Sequence, residues 1–196
     1  VKTYEEAEKF FRPKLEYLHD PFLMKDMQPV VERLSNAIKS EEKILIYGDY
    51  DVDGTSGASL LMDFFAKLSN NIDFYIPDRY EEGYGVSTQA IEYASNEGYK
   101  VLLTVDCGIR DVNAIKLATA NGIDVIICDH HLPDTVLPNA FGILNPKQEN
   151  CPYPFKELSG CGVAFKLVQA YALALGMSFE KEVQPLLDLV ALSLCC

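Results

Sequence analysis

Four short apolar runs, at 43–47, 72–76, 100–105 and 123–128, each end at a glycine, a proline or an acid, and this spacing constrains the fold most. Between them the apolar residues switch from β-type runs to helical spacing, which predicts helices over 56–68, 88–96 and 111–121. Strands alternating with helices of this length predict an α/β fold: a parallel sheet with right-handed crossovers, in three layers with helices on both faces. A fifth strand is expected at 140–144, followed by a loop over 145–159 and two apolar helices, one at 160–175 and one beyond Lys181. Ahead of the first strand, Phe10, Phe11, Leu15 and Leu18, then Val30, Val31, Leu34 and Ile38, predict two helices around a break at His19-Asp20-Pro21. The expected organisation is thus a helical segment over 1–42 and an α/β domain over 43–196.

The 196 residues are 48% hydrophobic, enough for one sizeable core, so disorder is excluded. A formal net charge of −12, from 17 Lys and Arg against 29 Asp and Glu, argues against a basic protein that coats nucleic acid. An acidic chain can still bind phosphates through metal ions. No apolar stretch reaches the roughly 18 residues of a membrane span, and no signal segment opens the chain, so a cytoplasmic protein without membrane contact is expected. The six cysteines, 107, 128, 151, 161, 195 and 196, include no CxxC pair, which predicts reduced and mostly buried thiols. The chain starts at Val1 and ends within the apolar run 186–196 without a helix-capping signal, so a fragment of a longer protein is expected.

Asp49, Asp51 and Asp53 put three carboxylates on alternate residues directly after a buried strand, where their repulsion calls for a cation. The spacing matches a calcium-binding EF-hand loop, but position 12 is Leu60 where a bidentate Glu is needed, and the loop follows a β-type run. Asp51-Val52-Asp53-Gly54-Thr55 also matches the nucleophile motif of haloacid-dehalogenase-type phosphatases, which would make Asp51 a covalent phosphate acceptor. Later strand ends supply something different from what that chemistry needs: Asp106 alone, then Asp129 with His130 and His131. In an open parallel sheet these side chains converge in one crevice at the carboxyl ends of the strands. Carboxylates with imidazole suit Mn²⁺ or Mg²⁺ better than structural zinc. An acid shared by two ions would set them roughly 3.5–4 Å apart, an arrangement that hydrolyses phosphoesters or phosphoanhydrides.

Taken together, these motifs resemble the DHH phosphoesterase superfamily and, within it, the RecJ-type single-strand exonucleases. The resemblance runs from about residue 43 to the end. It rests on residues 47–54, on Ile76-Pro77-Asp78-Arg79 with Gly83-Tyr84-Gly85, on Val105-Asp106-Cys107-Gly108, and on Asp129-His130-His131. Leu144-Asn145-Pro146-Lys147-Gln148 and the segments 151–155 and 158–164 add to it. The resemblance implies that Asp51 and Asp53 each bind one ion, that Asp106 bridges the two, and that His130 is a ligand, with Asp49 joining or orienting the cluster. By the same resemblance His131 contacts the scissile phosphate and Asp129 holds a neighbouring imidazole. Arg79 is either a phosphate contact or a solvated arginine, and Tyr84 either stacks a base or packs its loop. The Gly160-Cys161-Gly162 turn either presents N–H groups to a phosphate or is a tight helix start.

RecJ-like proteins carry a fourth acidic motif and a second domain that the chain does not reach; Asp188 is not expected to substitute. The function implied is a two-metal phosphodiesterase core of a 5′-to-3′ single-stranded-DNA exonuclease in recombination and repair, with a helicase or single-strand-binding protein as partner by analogy. Two alternatives stay open: a hydrolase of short oligonucleotides, cyclic dinucleotides or pyrophosphate, and a non-catalytic scaffold.

Overall fold

The computed structural model describes residues 3–195. Five strands, β1 (Ile44–Gly48), β2 (Ile72–Tyr75), β3 (Val101–Val105), β4 (Asp124–Cys128) and β5 (Gly142–Leu144), form one all-parallel sheet in the order β2-β1-β3-β4-β5. The helices are α1 (Tyr4–Phe11), α2 (Met27–Lys39), α3 (Val52–Phe65), α4 (Thr88–Asn96), α5 (Val112–Ala120), α6 (Gly160–Ala174) and α7 (Leu187–Leu194). The period-2 alternation of the strands sorts them into two cores. Ile44, Ile46, Leu103, Val105, Ile126 and Cys128 face a layer made by α2, α3, α6 and part of α7. Leu45, Tyr47, Leu102, Val125 and Ile127 face α4 and α5. The three-layer architecture expected from the sequence is the one observed.

Before the sheet, the two expected helices behave differently. On α2, Val30, Val31 and Leu34 are buried in the same core as the strands, so the division at residue 43 is one of chain order and not of packing. On α1, Phe10 and Phe11 are 68% and 76% exposed, and Leu15 lies in a separate 3₁₀ turn. After α6 the chain makes a π-type turn (Phe179–Val183) and a 3₁₀ turn (Gln184–Leu186) before α7. Cys107, Cys128, Cys151 and Cys161 are buried free thiols and Cys195 is an exposed one; Cys196 lies outside the described residues. Among the described residues no helix is long and apolar enough to cross a membrane.

One boundary needs correction, and it matters for the site. The sequence places the first crossover helix from Ser56, whereas α3 begins at Val52, inside the acidic motif. Asp and Gly are poor helix formers in an interior, which hides the start, but here they occupy the first turn. The Asp51 carboxylate caps the helix by accepting from Gly54 N at 2.9 Å, and Asp53 sits where the helix dipole favours an anion. Gly54 is required by close approach, since a Cβ there would lie 2.5 Å from the Asp49 carbonyl oxygen.

Candidate metal centre

The sheet order places β1 and β3 side by side although β2 lies between them in sequence, so the chain turns to opposite sides from β1 and opens a crevice at their carboxyl ends. Gly48, Val105, Cys128 and Leu144 are register partners across β1, β3, β4 and β5. The next residue of each strand therefore forms one polar row: Asp49, Asp106, Asp129 and Asn145, all buried. The row is held by backbone bonds from Asp49 N to Val105 O, Asp106 N to Cys128 O and Asp129 N to Leu144 O.

Asp106 is the centre of the arrangement. Potential ligand atoms of Asp106, His130 and His131 lie within 4.8 Å of one another, as do those of Asp49, Asp51 and Asp106. Asp106 is common to both groups. His130 Nε2 is 3.1 Å from Asp106 Oδ1 and 3.8 Å from Asp53 Oδ2. The first approach is close but poorly directed as a hydrogen bond, and the buried Oδ1 atoms of Asp106 and Asp49 have no donor. Asp106 is also in the left-handed region, with φ +62°. Burial pushes its carboxyl up to about 7, against the downward pull of His130, and the nearby Asp53 and Asp51 add to the rise. Burial likewise raises Asp49, and the Asp106 carboxylate raises His130. Orphaned, anionic, buried oxygens beside an imidazole are the donor set that a hard divalent cation satisfies, so the residues present fit Mn²⁺ or Mg²⁺.

The remaining acids are held by backbone. Asp53 accepts from Gly160 N at 2.7 Å and Cys161 N at 2.8 Å, the first N–H groups of α6. Gly162 N donates instead to the Ser159 hydroxyl that caps the same helix. The N–H groups of Gly160 and Gly162, for which a phosphate contact is one reading, both donate within the protein. The second reading of that turn, a tight helix start, is the one observed, and it has a steric reason. A Cβ at Gly160 would lie 2.5 Å from Asp106 Cβ and 2.6 Å from its Oδ1.

Asp129 accepts from His130 N at 2.7 Å, His131 N at 3.0 Å, Ile109 N at 3.0 Å and His131 Nδ1 at 2.8 Å. Burial alone would raise its pKa, but these bonds outweigh it and hold the carboxyl below its ordinary range. An ionised carboxylate can only accept, so Nδ1 of His131 carries a proton, and Nε2 is left on the side of Tyr84. There the Tyr84 hydroxyl lies 3.3 Å from Nε2 and 3.4 Å from Nδ1, with the two rings edge to face. Arg79 stacks over the ring of Tyr50, 5.2 Å from its centroid, within the acidic motif. Asp188 is exposed, and its carboxylate accepts from Leu189 N.

Sequence reasoning assigned no role to Asn145, whose side chain donates to the His131 carbonyl at 2.9 Å and accepts from Lys147 N. It also assigned none to Asp111, which accepts from Val86 N, or to Arg110, which donates twice to the Leu132 carbonyl beside the two histidines. A polar residue at the end of β5, in the row of Asp49, Asp106 and Asp129, is the signal that would have found Asn145.

A doubly wound parallel sheet with a carboxylate–imidazole cluster at its switch point defines a metal-dependent hydrolase class of site. Residues 43–194 match the family described as DHH family, N-terminal domain, and the chain belongs to that family. It is 48% identical over 168 residues to the single-stranded-DNA-specific exonuclease RecJ of Bacillus subtilis, covering 86% of this chain and 21% of that protein. It is 35% identical over 201 residues to the Escherichia coli RecJ, covering 98% of this chain and 34% of the other. Its fold matches a crystal structure of the exonuclease RecJ bound to manganese, with a TM-score of 0.78 and 32% identity over 87% of this chain and 42% of that one. A Thermus thermophilus RecJ in complex with Mn²⁺ matches with a TM-score of 0.75 and 27% identity, over 92% of this chain and 25% of that one. The chain thus spans about a fifth to a third of the length of these curated relatives.

Proposed function

We propose that this chain is the metal-dependent phosphodiesterase core of a RecJ-like exonuclease that degrades single-stranded DNA from the 5′ end in recombination and repair. The observation that carries the reading is Asp106, a buried carboxylate shared by two ligand groups and left with an oxygen that no donor meets. The exonucleases to which the chain is similar support the choice of substrate.

Asp49, Asp51, Asp53, Asp106 and His130 would hold two ions, Mn²⁺ or Mg²⁺, and Asp106 is common to both candidate ligand groups. Lewis acidity at a phosphodiester oxygen is the chemistry that such a pair supplies when bound. The protein's own groups do the rest. The α6 N–H groups orient Asp53, and the Asp129 carboxylate, bonded to Nδ1 of His131, favours the imidazolium, whose Nε2–H would donate to the scissile phosphate. Arg79, placed over the ring of Tyr50, offers its guanidinium donors to a strand phosphate, and Tyr84 shapes the wall beside His131. The protein works in the cytoplasm on strands that a helicase unwinds or a single-strand-binding protein holds.

The test is a time course of the natural-length protein with Mn²⁺ on single-stranded DNA labelled at either end, beside Asp106→Ala. Mononucleotides released from the 5′ end by the wild type and not by the variant are expected. Intact long DNA with hydrolysis of short oligonucleotides or pyrophosphate would overturn the substrate, and hydrolysis by the variant would overturn the role of Asp106.

A further inference from the structure

Arg79 and Tyr84 both lie on the 77–87 loop, and neither is buried. Tyr84 is 58% exposed and its contacts with the site, ring to ring and through its hydroxyl, are with His131, so its place depends on how the loop backbone is held. The loop is closed by one side chain. Glu82 accepts from the Tyr75 hydroxyl at 3.0 and 3.1 Å, from Asp78 N at 2.9 Å, and from the Ser87 hydroxyl. These donors are the last residue of β2, the first turn of the loop and the residue that caps α4. A single carboxylate thus ties the two ends of the loop to each other and to the sheet. Beside it, Tyr47 donates to Gly85 O at 2.7 Å, and Asp111 accepts from Val86 N at 3.0 Å, fixing the residues that follow Tyr84.

We infer that Glu82 is a positioning residue: it clasps the 77–87 loop so that Arg79 and Tyr84 face the substrate strand. Glu82 has no contact with the acids or histidines of the centre among its hydrogen bonds, so its influence falls on strand binding and not on metal binding. This inference rests on the nuclease reading for its kinetic consequence but not for its structural one, and the two are tested separately.

The structural arm is limited trypsin digestion of the natural-length protein. Cleavage after Arg79 is expected to speed up about tenfold in Glu82→Ala, because local opening of the loop then governs access to that bond. The kinetic arm is steady-state hydrolysis of single-stranded DNA with Mn²⁺. KM is expected to rise about tenfold in Glu82→Ala with kcat within about twofold, the signature of strand binding lost equally from the ground and transition states. Tyr75→Phe, which removes one donor and preserves packing, should move KM the same way by about threefold. Glu82→Gln should recover part of the loss, since its amide oxygen still accepts from Asp78 N while its NH₂ can donate to Ser87. Unchanged cleavage after Arg79 in Glu82→Ala would overturn the clasp. Faster cleavage with an unchanged KM, or a fall in kcat together with Mn²⁺ affinity by calorimetry, would overturn the assigned role. If the wild type hydrolyses only short oligonucleotides, the exonuclease reading fails, and the KM split on that substrate still decides on Glu82.

Discussion

Asp106 and Asp129 stand one strand apart at the ends of β3 and β4, in the same row of the sheet and at 2% and 1% exposure, yet their carboxyls move in opposite directions. Burial raises Asp106 to about 7, while Asp129 is held below the ordinary range although burial acts on it too. The difference is in the donors. Asp129 receives three backbone N–H groups and an imidazole, whereas the Oδ1 of Asp106 receives no hydrogen bond. Burial therefore does not separate these two carboxylates; the count of donors does.

The comparison breaks most visibly at Asp106 itself. Asp106→Asn should weaken Mn²⁺ binding by more than about 100-fold in calorimetry, since ligand loss exceeds the effect of altering a group behind a ligand. The same change should make the metal-free protein more stable by on the order of 1 kcal/mol at about pH 8, because it removes a buried charge without donors. Asn tolerates the left-handed backbone at this position, so the substitution adds no strain. Equal or lower stability of the metal-free variant in urea titration would contradict the contrast.

At Asp129 the sign is opposite. Asp129→Asn should destabilise the protein by about 1–3 kcal/mol in the same titration, because an amide cannot accept four donors. A neutral outcome would mean that the donors find water instead.

The pH dependence sharpens the comparison further. Asp106 has a folded value above its unfolded one, so its contribution is fully present below about pH 4 and is lost as pH rises through about 7. Asp129 is lowered, so its contribution is present above about pH 4 and is lost as pH falls through its folded value. Between about pH 5 and about pH 8 the metal-free wild type should lose melting temperature relative to Asp106→Asn, and Mn²⁺ should remove that loss, since a ligating carboxylate must be deprotonated. A constant difference between the two proteins across that range would refute the assignment.

The smallest effect is expected at Thr104, whose hydroxyl donates to the Cys107 carbonyl at 3.0 Å inside the turn that sets Asp106. Thr104→Val should cost about 1 kcal/mol in thermal denaturation, the worth of one neutral hydrogen bond.

Much of this was legible in the residues. The apolar runs mark all five strands, and the acids and histidines that follow β1, β3 and β4 mark the crevice. The start of α3 was not legible, because Asp51 and Gly54 read as turn formers until the Asp51 carboxylate is seen capping Gly54 N. The N-terminal phenylalanines misled in a similar way. Phe10 and Phe11 have the same spacing signal as Val30 and Val31, but only α2 finds a layer to pack against.

By itself the sequence determined the parallel α/β architecture and which side chains arrive at the carboxyl edge of the sheet, because strand and helix periods are local properties of the chain. The tertiary structure alone decided what each of those side chains does. The donors that hold Asp129 include an N–H 20 residues away, and those that hold Asp53 come from 107 and 108 residues away. A buried carboxylate is defined by which distant backbone groups reach it, and none reaches the Oδ1 of Asp106 or of Asp49.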